Sequence, residues 1–116
     1  MEKTVIVDES FATTGQGYHL TRVHHIGDYT LRVDIKRDAY AAHSYAMVQV
    51  LTPALTWTTL ASDPPSRWHG ASPGPASRPK PGPRVLYPLA DQLACRATTI
   101  LRAAPPAAAT PAEPMA

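Results

Sequence analysis

The chain has one cysteine, one phenylalanine, no long apolar run and little net charge for its 116 residues, and each shortage narrows the reading. A lone Cys95 cannot close an intrachain disulfide, and the first residues, MEKTVIVDESF, lack the basic and then apolar segments of a secretory leader. An intracellular, cytoplasmic location is expected. No stretch reaches the roughly 18 to 20 apolar residues needed to cross a bilayer, so no membrane association is expected. The formal charge of +2 is unevenly spread: residues 1–61 hold five basic and six acidic side chains, whereas residues 62–116 hold six basic and three acidic. The basic excess therefore lies outside the segment best suited to fold, which argues against a basic face that reads a DNA groove.

Proline, by contrast, is abundant. Thirteen are present, and all but Pro53 lie beyond residue 60. A strand-forming region upstream of them shows the clearest periodicity in the chain. Leu31, Val33 and Ile35 alternate with polar residues, and Ala46, Val48 and Val50 repeat the pattern, which is the period of two expected of strands with one buried face. Thr4–Val7 reads as a short edge strand, 12–17 as a loop, and Tyr18–Ile26 as a strand ending in a Gly27-Asp28 hairpin signal. A three-residue loop is the preferred register there. It pairs Val23 with Val33 and places Arg22 opposite Asp34 as a cross-strand ion pair. The alanines of Lys36–Ser44 permit a competing helix through AYAAHSYAMVQVL, but Val48 and Val50 favour strand. Leu55–Ala61 completes the series, with Trp57 as a core or sheet-face aromatic.

The fold class expected is mainly β with an α+β character: a small antiparallel meander of four to five strands over residues 1–61. A flexible Pro/Gly-rich linker follows at 62–84, in which Trp68 is free to fold back on the sheet. An amphipathic helix spans 85–103, with Pro88 and Asp91 in its first turn, Arg102 in its last, and Leu89, Leu93, Ala97, Ile100 and Leu101 on one face. An alanine- and proline-rich disordered tail occupies 104–116.

Chemistry-bearing patterns are scarce. His24 and His25 are adjacent on a strand and so point to opposite faces, His19 is too far along to share an ion with His25, and no cysteine pair completes a zinc set; all are read as sheet-surface histidines, with no metal or cofactor expected. Asp34, Asp38, His43, Ser44 and Tyr45 gather around the central loop without the spacing of a known catalytic motif. Cys95 reads as an inert, half-buried thiol. A non-enzymatic interaction or regulatory protein is the leading expectation, acting on a protein partner or on itself, with Arg32, Lys36, Arg37, Tyr40, His43 and Leu93 as candidate interaction residues. The alternative is single-stranded nucleic-acid binding by those basic residues with Tyr29 and Tyr40, extended by linker cations.

Overall fold

The computed structural model describes residues 5–13, 17–70 and 82–103. Five antiparallel strands run in sequence order across one sheet: β1 (Val5–Thr13), β2 (Gly17–Ile26), β3 (Tyr29–Asp38), β4 (Tyr45–Leu51) and β5 (Trp57–Ser62). A short helix α1 (Pro65–Trp68) follows, and the long helix α2 (Tyr87–Ala103) packs across β3, β4 and β5. The expected meander with a terminal helix is thus the architecture observed. Thr4, residues 14–16 of the expected loop, residues 71–81 of the expected linker and the expected tail at 104–116 lie outside the described residues.

Alternation dictates which side chains meet the helix. Leu20, Leu31, Val33, Ile35, Ala46, Val48 and Val50 are fully or almost fully buried on the inner face, against Ala90, Leu93, Ala94, Ala97 and Leu101 of α2. The segment that competes between helix and strand resolves to a single 3-10 turn, Ala41–His43, followed directly by β4. The described residues of 62–84 also carry structure. Trp68 of α1 enters the core and its Nε1 donates to the Asp63 carbonyl at 3.1 Å. The Asp63 carboxylate sits 3.5 Å from both Arg67 and Arg96, which ties α1 to α2.

The β2–β3 register departs from expectation. Ile26 pairs with Tyr29, so the loop has two residues, and Arg22 stands opposite Val33 on the inner face; Thr21, not Arg22, faces Asp34. Gly27 takes φ 57°, the left-handed value that the first central residue of a II′ hairpin turn requires, and that turn matches the twist of the strands. Arg22 tolerates the interior because it is enclosed by partners. Its Nε donates to Glu9 Oε1 and its Nη1 to Asp91 Oδ1, both at 2.9 Å, and its guanidinium lies 4.1 Å from the centre of the Tyr87 ring. Burial alone would lower the Arg22 pKa, yet the hydrogen bonds and charges of Asp91 and Glu9 outweigh it and hold the pKa above its ordinary value. Asp91 therefore lies beyond the first turn of α2 and serves the sheet rather than the helix dipole. Cys95, expected half-buried, is exposed.

Gly17 marks a close approach: a Cβ there would collide with the Arg37 carbonyl oxygen on β3, whereas a Cβ on Gly70 would meet nothing. Gly17→Ala is expected to destabilise the fold by about 1–3 kcal/mol, as overpacking does, and Leu93→Ala by about 2–5 kcal/mol through the cavity it leaves. Gly70→Ala should change little. Urea denaturation of the three variants measures the differences.

Candidate functional site

Three surfaces gather polar or reactive side chains. The first is the outer face of the sheet, where no described helix packs. Its centre is Asp34 on β3, whose Oδ1 accepts from His19 Nε2 on β2 and, at 3.4 Å, from Thr21 Oγ1, while Oδ2 accepts from the Tyr45 hydroxyl on β4 at 3.2 Å. Alternation fixes this grouping, since neighbouring strands present one outward residue every second position. The Tyr45 phenol is pushed above its ordinary pKa, first by burial and then by the neighbouring Asp34 charge. One pair of residues along β3, Arg32 donates to Gln49 Oε1 at 3.1 and 2.6 Å and stacks 4.3 Å from the Trp57 ring centre. The face is therefore largely self-satisfied, and Trp57 is a sheet-face aromatic already covered on one side by a guanidinium. Lys36 is exposed beside His19 on the neighbouring strand.

The second surface is the loop around Arg37–Ser44. Ser44 is buried, and its hydroxyl accepts from the Asp38 amide at 2.9 Å and donates to the Tyr40 carbonyl at 3.1 Å, so it staples the turn. Asp38 accepts from the Tyr40 amide at 3.2 Å, with His43 Nδ1 3.9 Å away. The Arg37 guanidinium is buried and donates to the Asp38 and His69 carbonyls. These groups hold backbone, and the arrangement lacks a serine-to-imidazole bond of the kind a nucleophile needs. Tyr40 and His43 are exposed with their rings 6.2 Å apart. Of the candidate interaction residues, then, Lys36, Tyr40 and His43 are open to solvent, Arg32 is engaged on the sheet face, and Arg37 and Leu93 are interior, Leu93 completely so.

The third surface is the edge strand expected at Thr4–Val7, which continues to Thr13. Strand β1 is an outer strand of the sheet, and no described segment pairs with its free edge. Val5, Ile6 and Val7 are 58, 47 and 47% exposed in succession, irrespective of the face to which each points. The β1–β2 register slips between Ile6 and Asp8, which leaves Val7 as a bulge. At the same end of the sheet, an open cleft of about 660 Å³ lies between the two hairpin tips, lined by Gly27–Thr30 and Leu51–Pro53. Leu55, on the second tip, is 78% exposed and held at φ 64°, a left-handed conformation that costs a leucine roughly 1–2 kcal/mol.

Behind this corner lies a histidine that sequence reading placed on the surface. His24 is 2% exposed on the inner face, between Ile6 of β1 and Leu31 of β3, and neither ring nitrogen has a partner. The alternation that carries Arg22 inward carries His24 with it. Burial, and secondarily the Arg22 charge, lower its pKa against a smaller opposing pull from Asp91. Among the described residues no cluster of three or more potential ligands forms a metal site, and no helix is long and apolar enough to cross a membrane.

Replacing Asp34 with Asn is expected to return the Tyr45 phenol part of the way towards the ordinary value near 10, leaving the burial contribution in place. Tyrosine-labelled ¹³C NMR titration of both proteins measures the shift. Comparison with known proteins adds no assignment: no family model, no curated protein and no solved structure matches this chain.

Proposed function

We propose that this chain is a small non-enzymatic interaction or regulatory protein of the cytoplasm, and that it engages its partner by strand addition along the free edge of β1. The observation that carries this reading is the run Val5-Ile6-Val7, three half-exposed β-branched residues on an unpaired edge. Soluble proteins usually shorten such an edge, charge it or cover it. An extended partner segment would satisfy the free backbone groups and cover the apolar side chains together. Asp8, next along the strand, bears an exposed carboxylate and favours a partner segment with a basic residue opposite it.

Single-stranded nucleic acid is the weaker reading. A base stacking on the covered side of Trp57 would have to displace Arg32 from both the ring and Gln49.

The expected outcome is that a protein captured from the native host by the wild-type chain is lost, by tenfold or more, on Val5→Lys/Val7→Lys. The pair sits on the exposed edge and should leave the fold intact, as checked by circular dichroism. Trp57→Ala and Lys36→Ala should retain the captured protein. An unchanged capture pattern with the β1 variant counts against strand addition, and loss with Trp57→Ala and Lys36→Ala instead transfers the site to the outer face.

A further inference from the structure

His24 has no role in strand addition itself, yet it occupies the inner side of the same corner. An imidazole in this position has few ways to accept a proton. Its two nitrogens find no hydrogen-bond partner, and the nearest fixed charge along its own strand is the cation of Arg22. The charges that act on it are Arg22 on its own strand and Asp91 on α2, while Glu9 on β1 and Tyr87 on α2 surround the same Arg22 guanidinium. Both carboxylates are already committed to Arg22, and Glu9 also accepts from Tyr87 at 2.7 Å. β3 contributes the apolar Leu31 at the paired position. A protonated His24 would thus be a second buried cation in a site whose anions are taken, and the fold must open to admit water.

The walls of the site differ in strength. On one side, β3 is paired on both edges and packed under α2. On the other, β1 pairs with no described strand but β2, its register is broken between Ile6 and Asp8, and Ile6 opposite His24 is already half-exposed. Local opening follows the weakest boundary. Past the bulge, Glu9 remains anchored to Arg22 and Tyr87, so the opening is confined to the residues before it.

We propose that His24 is a proton-operated release for the β1 edge: mild acid charges the buried imidazole, the segment Val5–Asp8 separates from β2, and the strand that receives the partner is withdrawn. This rests on the strand-addition reading for its biological meaning, but the release itself is measurable on the isolated chain. The direction follows from linkage. The imidazole is held neutral in the closed form, so the closed form is fully favoured above the ordinary histidine pKa of about 6.5 and loses that advantage as pH falls below it, down to the lowered value of the closed state. At pH 5.2 the greatest effect one such group can exert on an opening equilibrium is about twentyfold, from the 1.3 pH units below 6.5.

The test is amide hydrogen exchange, resolved by NMR on the full chain at pH 7.2 and 5.2 and expressed as protection relative to unstructured peptide, so that the intrinsic pH effect on exchange cancels. In wild type, the Val5–Asp8 amides bonded to β2 are expected to lose five- to twentyfold protection at pH 5.2, while amides of β3 and α2 keep theirs. His24→Leu and His24→Gln, which cannot charge, should remove this loss, and His25→Leu, on the exposed neighbour, should leave it. Equal protection at both pH values in wild type overturns the proposal. So does a loss that persists in both His24 variants, or one centred on α2. A normal release in a chain whose β1 variants still capture every partner would overturn strand addition and leave the switch standing.

Discussion

A guanidinium on the inner face of a sheet has to be neutralised before the helix above it can close, and the placement of Arg22 governs how the ends of this chain are arranged. Its two carboxylates come from opposite directions, Glu9 on the edge strand and Asp91 on the terminal helix, with Tyr87 stacked on the same group and bonded to Glu9. Removing either partner would leave a charge poorly compensated in the interior, which is far more costly than losing an exposed pair. The polar cluster therefore fixes the helix over the sheet, while the apolar face of α2, with Leu93 fully buried in it, packs across β3 to β5. His24 adjoins the polar cluster without sharing its compensation.

Much of the architecture was legible because a meander is built from local repeats. Leu31, Val33, Ile35, Ala46, Val48 and Val50 alternate in the sequence and are the sheet's side of the core, and the amphipathic face of α2 is equally plain. The β2–β3 register was less accessible. An arginine appears misplaced opposite Val33 until its partners are known, and these lie 13 and 69 residues away along the chain. Local pattern holds no information on such distant compensation. The same limitation hid His24, since a histidine one pair beyond Arg22 must share its face once the register is set.

The candidate surfaces divide similarly. Basic and aromatic residues stand out in a sequence, but Arg37 is folded inward against backbone carbonyls and Arg32 is held by Gln49 and Trp57. The free β1 edge was legible only in part: TVIV reads as a short edge strand, but the extension of β1 to Thr13 and the lack of a partner on its outer side among the described residues come from the strand order. Exposure is a property of topology as much as of residue type.

That topology also sets an order of assembly. Every strand pairs with the one before it in sequence, so each hairpin can close as soon as its second strand is available, and loop closure is short at each step. The helix is different. Asp91 reaches back across most of the chain to Arg22, and until it arrives the inner face lies open with its arginine half-satisfied. The sheet can therefore take shape well before its core is sealed, and a helix that follows all five strands in the chain is the one that makes the first of them permanent.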